Sequence, residues 1–359
     1  MADHRMADLK TFLADSALIE AWDSLAERYH AAPFVRPGWI EAWWQAFGRG
    51  ELKLLTAHSG GELRGVLPIV ERGRRLSSPV NAHTPLFGFV AADDTAAYEL
   101  AHLLFSEGHT LSTIDPLDAD DIGLWALREA AADNGYRLHV RTHRRSPYIE
   151  IEPPFDSFVM GLRRKFRSEI KRRKRRLEEV GVLQLVVHEG REDLETILTE
   201  SLFVEASGKK GRQGTAIIQD ATINRFYKDM SHWASAAGIL RLATLMLDER
   251  IIAFDLALED ERSHYLVKTG YDQSFARFGP GMLLRYEMLA RSFELGHSTY
   301  EFLGSDATWK REWTRTTRHH VEVRAFAPTL LGTTRWSAAH FGGPTIERLR
   351  GAARSALRH

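Results

Sequence analysis

A Gly-Pro-Gly turn is the part of this sequence best suited to bind an anion. Residues 265–271 alternate polar and apolar side chains with period two, whereas residues 282–295 carry apolar side chains at helical spacing. Pro280 suits the first position of a helix, because its missing N–H would be unpaired there anyway. The first amides of such a helix point outward beside a partial positive charge, which suits a pyrophosphate or a carboxylate. A helix start without any ligand shows the same pattern. The candidate anion-binding residues of the turn are Phe278, Gly279, Pro280 and Gly281.

Two predicted strands before this turn carry charged side chains with small neighbours. In the strand at 251–259, Asp255 lies between Ala253 and Ala257 on one face. The strand at 264–271 carries Lys268. The four-residue loop between the strands predicts a hairpin in which Asp255 lies directly opposite Lys268 on one face of the sheet. Small side chains around a charged pair predict a groove, although a structural ion pair would give the same pattern.

A third predicted strand, at 299–303, ends beside the same groove. Asp306 and Lys310 follow it directly, so their side chains would reach over the groove. The candidate substrate-binding residues at these strand ends are Tyr271, Asp272 and Trp309.

The densest positive charge lies in residues 161–181, GLRRKFRSEIKRRKRRLEEVG. An apolar stripe predicts a helix that docks on one side and turns a basic face outward. A solvated face, a phosphate-bearing ligand, an anionic membrane and a nucleic acid all remain open as the role of that face. The stripe consists of Leu162, Phe166, Ile170, Leu177 and Val180, and the candidate phosphate-binding residues are Lys171, Arg172 and Arg175.

A second basic segment, residues 207–215, is rich in glycine. It lacks the Gly-Lys-Ser/Thr ending of a P-loop, so a mobile linker is one interpretation. Lys209 and Lys210 could alternatively clamp a phosphate or a carboxylate as parts of a lid.

Helices and strands alternate along the whole chain, which predicts a mixed α/β fold. We predict an N-terminal domain over 1–152, a C-terminal domain over 153–330 that begins with the basic helix, and a basic amphipathic tail over 331–359. Each domain is expected to have a mixed central sheet flanked by helices.

Composition and missing motifs exclude several classes of protein. Lysine plus arginine and aspartate plus glutamate balance at 48 each, and the chain has no cysteine, so disulfides, thiolate metal sites and a cysteine nucleophile are excluded. Residues 118–129 resemble a calcium loop, but Ile122 stands where an oxygen ligand is needed, so no metal site is predicted. The sequence has no GxSxG, HExxH or GxGxxG motif. It also has neither a signal-peptide core nor a long apolar run, so we expect a cytoplasmic protein. The balanced charge gives no global signature of a polyanionic partner, and no DNA binding is expected.

Five motifs in order resemble one family. They are AFDLALED (253–260), LVKTGYD (266–272), FGPG (278–281), EFLGSD (301–306) and WKREW (309–313). Their order and spacing resemble the FemAB-like branch of the GNAT acyltransferases, and within it the acetyltransferase domain of the CelD/BcsL type. The resemblance implies two tandem GNAT-like domains.

The resemblance also implies the chemistry. An acyl group, with acetyl as the first candidate, would pass from acyl-CoA to an amine or hydroxyl by direct attack. The acceptor would be a small molecule or a precursor of the cell envelope or of a polysaccharide, and no tightly bound cofactor is expected. In GNAT enzymes two neighbouring parallel strands part, here 264–271 and 299–303, so that a backbone N–H is free for the acyl carbonyl. Asp306 would be the general base, Lys310 the anchor of an anion or substrate, and Asp255 with Lys268 the paired groove residues.

Two alternatives remain open at this point. Ordinary GNAT members have a longer glycine-rich loop than FGPG, and FemAB-like relatives include enzymes that use aminoacyl-tRNA as the donor. A non-catalytic scaffold that binds an anionic membrane or polymer through 161–181 and the tail belongs to a different class of protein.

Overall fold

The structure, a computed structural model, describes residues 5–8, 15–106, 108–152, 154–190 and 193–341. These residues fold into two compact units. The first contains the described residues within Met1–Ile40, Gly48–His143 and His319–His359, and the second those within Glu41–Phe47 and Arg144–Arg318. The domain boundaries predicted at 152/153 and 330/331 stay predictions, and the predicted tail lies outside the described residues from 342 onward.

The first unit is built on a mixed sheet. Neighbouring strands pair in the order β1-β2-β3-β4-β6-β13, antiparallel except for the parallel pair β4-β6, and β5 pairs with β3. β2 and β3 form a hairpin, in which Ser59 pairs with Glu62 around two glycines of positive φ. The strands are β1 (Arg5–Asp8), β2 (Glu51–Ser59), β3 (Glu62–Arg72), β4 (Arg75–Ser77), β5 (Val90–Ala91), β6 (Leu111–Asp118) and β13 (Thr317–Phe326). The helices are α1 (Ser16–Arg28), α2 (Pro37–Phe47), α3 (Asp94–Ser106) and α4 (Ile122–Asp133).

The aspartates of the segment that resembles a calcium loop form hydrogen bonds at the start of α4. The Asp121 carboxylate accepts a hydrogen bond from the Gly123 amide at 2.6 Å, which caps the helix. Asp118 accepts one from the Asp120 amide at 3.0 Å. Within the described ranges, no group of three or more histidine, aspartate or glutamate side chains could hold a metal ion.

The second unit contains the segment with the five motifs. Its sheet has the order β7-β12-β11-β10-β9-β8, in which only β11 and β12 are parallel. The strands are β7 (Arg137–Glu150), which begins in the first unit, β8 (Leu183–His188), β9 (Leu240–Leu247), β10 (Arg250–Glu259), β11 (Ser263–Tyr271) and β12 (Thr299–Glu301). The helices are α5 (Phe155–Gly161), α6 (Arg164–Glu178), α7 (Leu194–Ala206), α8 (Lys209–Arg212), α9 (Ala221–Ala236) and α10 (Pro280–Glu294).

Helices cover both faces of this sheet. On one face, α6 buries Phe166, Ile170 and Leu177 in the same core as Leu284 and Met288 of α10. The predicted apolar stripe of the basic helix is therefore confirmed, except that Val180 beyond the helix end is half exposed. On the other face, α7 lies against β10 and β11, and a Cβ placed on Gly270 would come within 3.2 Å of the Glu205 Cα.

In the part of the chain that the structure describes, every helix is too short or too polar to cross a membrane. The predicted cytoplasmic location stays a prediction.

Candidate active site

A cavity of about 550 Å³ opens at the end of β11 in the second unit. Residues 269–271 of β11 form one wall, and the first turn of α10 forms another. Side chains of α6, the end of α7, and residues 309–313 complete the lining. The large apolar and aromatic lining residues are Phe166, Tyr271, Met282, Trp309 and Trp313, and the charged ones are Arg173, Glu205, Lys209, Lys210, Arg285 and Glu312.

β11 and β12 part beside this cavity. They pair in parallel over three positions, from Ser263 with Thr299 to Tyr265 with Glu301. β12 then ends, while β11 continues to Tyr271. The chain turns away from β11 through Leu303 and Gly304, whose φ angles are 51° and 57°. The strand parting implied by the family resemblance is thus present, although β12 ends two residues earlier than predicted.

The start of α10 gives the cavity an amide donor. Gly279 has φ of 61°, and its carbonyl accepts hydrogen bonds from the Met282 and Leu283 amides at 3.0 and 3.2 Å. In the described part of the chain, the Gly281 amide has no such partner, and a Cβ on Gly281 would meet nothing closer than 3.5 Å. This amide and the helix dipole can therefore face an anion in the cavity.

The basic helix α6 contributes one arginine to this turn. A Cβ on Gly279 would lie 2.5 Å from Nη1 of Arg173, so the guanidinium lies directly over the glycine. Arg173 also donates to Glu169 at 2.6 Å and lines the cavity. Sequence patterning selected Lys171, Arg172 and Arg175 instead, and none of these three is among the lining residues. Their role in donor binding stays a prediction.

A buried arginine forms part of the cavity wall one turn into α10. Arg285 is 1% exposed, and its Nη1 and Nη2 lie 2.6 Å from the two oxygens of Asp255, which is completely buried. Nη1 also donates to the Tyr300 hydroxyl, and the guanidinium carbon is 5.7 Å from the centre of the Trp309 ring. Arg285 was missed in the sequence because a charged residue on an otherwise apolar helix face is usually solvated.

The predicted pair of Asp255 and Lys268 is wrong. From the pair Glu259–His264 to the pair Ala257–Leu266, the two residue numbers of each pair sum to 523. Beyond a bulge, where β11 has one extra residue, they sum to 524. Asp255 therefore faces Thr269, and Leu256 faces Lys268. The extra residue sends the two charges to opposite faces of the sheet. The groove predicted around Asp255 is wrong as well, since α10 covers that face and the small neighbours make room for Arg285.

Lys268 lies on the face covered by α7 and α9. Its Nζ is 5.3 Å from the centre of the Tyr227 ring. Burial, followed by the nearby charge of Lys210, lowers the pKa of Lys268 to about 8. Lys268 is not among the lining residues of the cavity.

Asp306 and Lys310 follow β12 as predicted, but both are engaged within the protein. The Asp306 carboxylate accepts two hydrogen bonds from Arg311, at 2.9 and 2.7 Å, and this contact lowers its pKa. Lys310 donates to the carbonyls of Leu303 and, at 3.0 Å, Ser305. Burial and the charges of two nearby arginines lower the pKa of Lys310 to about 8. Neither side chain lines the cavity, and their roles as base and anchor stay predictions.

The predicted substrate contacts fall into two groups. Tyr271, Lys209, Lys210 and Trp309 all line the cavity. Asp272 instead caps the following turn, where it accepts from the Ser274 amide at 2.9 Å and pairs with Arg250. The segment predicted as a basic loop forms the short helix α8.

Glu205 is the second cavity residue that sequence reasoning missed. It lies in the last turn of α7, and its side chain is 3% exposed. Its carboxylate contacts Lys210 Nζ and the Ile217 amide. Nothing in the motif of α7 distinguishes Glu205 from the other glutamates of that helix.

Comparison with known proteins agrees with this geometry. Residues 164–311 match the family model of the acetyltransferase (GNAT) domain. That segment contains α6, the parted strands and α10, and the match supports a transferase. No curated protein matches the sequence significantly.

Solved structures of low sequence identity share the fold. FemX aligns with a TM-score of 0.61 at 14% identity, over 85% of this chain and 95% of its own. The C-terminal domain of a protein assigned as a lysylphosphatidylglycerol synthetase from Agrobacterium fabrum aligns with 0.55 at 11%, over 89% and 95%. L-PGS from Bacillus licheniformis aligns with 0.52 at 14%, over 84% and 96%. The chain therefore shares its fold with FemX and with the other two structures.

Proposed function

We propose that this chain transfers an acyl group from acyl-CoA to an amine or hydroxyl by direct attack within the cavity at the end of β11. Acetyl-CoA is the first candidate donor. The acceptor would be a small molecule or a precursor of the cell envelope or of a polysaccharide. One observation carries the proposal. The parting of β11 from β12, the open amide of Gly281 and the Arg173 guanidinium all meet at one cavity.

Each part of the cavity has a role in this reaction. The pyrophosphate of the donor would lie at the start of α10, where Gly281 N–H and Arg173 supply donors. The acyl group would then extend toward the free part of β11, whose backbone amides can polarise the carbonyl. An amine acceptor first gives its ammonium proton to a base. Attack of the amine or hydroxyl then forms the new C–N or C–O bond and breaks the C–S bond, and the proton lost by the attacking atom goes to the sulfur, so that the coenzyme leaves as the thiol.

Aminoacyl-tRNA is the second candidate donor, and the position of α6 favours it. The outer face of this helix continues from Arg173 to the exposed residues Lys171, Arg172 and Arg175. A nucleic acid whose acylated end lay in the cavity could follow these charges, whereas acyl-CoA would not need them.

A thermal-shift screen with acetyl-CoA, longer acyl-CoAs and bulk tRNA separates the donors. We expect acetyl-CoA to raise the melting temperature and tRNA to leave it unchanged. A variant with Lys171, Arg172 and Arg175 changed to glutamate should keep the response to acetyl-CoA. If only tRNA raised the melting temperature, and if this effect were lost in the variant, the donor would be aminoacyl-tRNA instead of acyl-CoA. No response to any of these ligands would contradict the proposed function.

A further inference from the structure

Glu205 is a buried carboxylate in the wall of the cavity, on the side of the sheet away from α10. α7 packs on the face of β11 that contains Gly270, whereas α10 packs on the face of β10 that contains Asp255. The cavity is lined from both sides, because β11 has no β12 neighbour beyond Tyr265. A group bound at Glu205 therefore approaches the parted strands from the side opposite to the Gly281 turn.

The two oxygens of Glu205 have different kinds of partner. Oε2 accepts from the backbone amide of Ile217 at 2.9 Å, which fixes the orientation of the carboxylate. Oε1 contacts Nζ of Lys210, a residue of the four-residue helix α8 whose side chain is 49% exposed. The first partner is part of the fold, and the second is a long side chain with one end in solvent.

A buried carboxylate needs a compensating positive charge. Lys210 supplies that charge in the structure, and the ammonium group of a ligand would supply the same charge with the same hydrogen-bonding geometry. A hydroxyl group would not, because its approach would leave the carboxylate of Glu205 without a hydrogen-bonded cation, with the charge of Lys268 acting only through space. This wall therefore discriminates between the two classes of acceptor.

We propose that Glu205 binds the ammonium group of the acceptor and that Lys210 Nζ holds that position when no acceptor is bound. The acceptor is then a primary amine rather than an alcohol. This assignment rests on the proposed acyl transfer in the same cavity, and it names the acceptor class for that reaction. Lys210 competes with the acceptor, so its removal strengthens amine binding.

An NMR titration with butylammonium chloride at low ionic strength tests this proposal, with n-butanol as the uncharged probe. Lys210→Met should lower the Kd for butylammonium at least tenfold relative to the unchanged protein and leave the response to butanol as it was. Adding Glu205→Gln should remove this gain. If Glu205 and Lys210 formed only a structural ion pair, neither substitution would change the affinity for butylammonium.

The chain contains a matched control for this experiment. Glu195 lies on the same helix α7 and pairs with Lys228 of α9, and neither lines the cavity. Lys228→Met and Glu195→Gln should leave the Kd for butylammonium unchanged. Lys210→Met alone remains informative even if Glu205→Gln fails to fold, because Lys210 is half exposed. Equal affinities in the Lys210→Met and Lys228→Met proteins would overturn the proposal.

Acetyl-CoA titrated into the same proteins separates this proposal from the function it rests on. The double variant Glu205→Gln/Lys210→Met should bind acetyl-CoA within threefold of the unchanged protein, because both residues lie on the acceptor side. Failure of acetyl-CoA to bind any of the proteins would contradict the proposed donor. The butylammonium result would still decide the role of Glu205.

Discussion

The guanidinium of Arg285 and the carboxylate of Asp255 form a two-pronged ion pair in the interior of the second unit, with both N–O distances at 2.6 Å. Arg285 is 1% exposed and Asp255 is not exposed at all. The pair connects the wall of the cavity to the middle of β10. Asp255 therefore positions a cavity residue instead of facing a substrate groove.

Breaking this pair on one side should destabilise the fold more than removing it completely. Arg285→Met leaves a buried carboxylate without compensation, which we expect to lower the free energy of unfolding by about 3–5 kcal/mol. Arg285→Met combined with Asp255→Leu should cost less than the single change, because no buried charge is left. Urea unfolding of the three proteins measures both values. A double variant less stable than the single would show that the two residues act independently.

The sequence was sufficient to predict the architecture of the second unit. Period-two and helical patterns located β10, β11 and α10, because their apolar faces are buried as the patterns require. The register of the hairpin could not be predicted, because the extra residue is Val267 of β11, opposite Leu256 and Ala257, and it leaves the apolar pattern of β10 intact. A single extra residue nevertheless reverses the face on which Lys268 lies.

Site residues were predictable only where backbone chemistry marked them. The Gly-Pro-Gly turn is recognisable because a proline favours the first helical position and a glycine adopts the positive φ just before it. Glu205 and Arg285 are ordinary helix residues whose importance depends on burial, and burial depends on how α7 and α10 pack. Arg173 was one of many cations on α6, and only its contact with Gly279 distinguishes it.

Replacement of Asp306 tests its predicted role as the general base. Loss of a general base lowers turnover by roughly two or more powers of ten. We expect Asp306→Asn to lower kcat by less than about tenfold, because Arg311 occupies both carboxylate oxygens and the lowered pKa makes Asp306 a weak base. Steady-state release of CoA measures this value. A hundredfold loss with an unchanged melting temperature would support Asp306 as the base.

Lys310 should make the stability of the protein depend on pH. The pKa of Lys310 is about 8 in the folded protein, whereas an unfolded lysine has a pKa of about 10.4. Between these two pH values the unfolded chain binds more protons, so the stability of the native protein rises with pH in this window. Relative to Lys310→Met, its free energy of unfolding should increase by about 2 kcal/mol from pH 7.5 to pH 9.5.

Urea unfolding at the two pH values measures this difference. Lys228→Met is a suitable control, because Lys228 lies in a surface pair with Glu195 and its removal should give a difference independent of pH. A flat difference for Lys310→Met as well would mean that Lys310 keeps an ordinary pKa.

Arg173 should contribute more to donor binding than the other cations of α6. Arg173→Met removes a guanidinium from the Gly279 turn, and we expect the Kd for acetyl-CoA to rise about tenfold, or about 1.4 kcal/mol. Arg176→Met removes an equal charge from the exposed last turn of the same helix and should change the Kd less than twofold. Equal effects of the two substitutions would mean that α6 acts only through its overall charge.

Calorimetric titration of acetyl-CoA into Gly281→Asp tests most directly whether the start of α10 holds the donor phosphates. An aspartate fits the first turn of a helix, and a Cβ here meets only ordinary contacts, so the fold should keep its stability. The added negative charge would face the pyrophosphate, whereas Gly281→Asn adds the same bulk without charge. We predict that the Kd rises at least thirtyfold in Gly281→Asp and less than threefold in Gly281→Asn. Equal affinity of Gly281→Asp and the unchanged protein for acetyl-CoA would contradict the assignment of this cavity as the donor site.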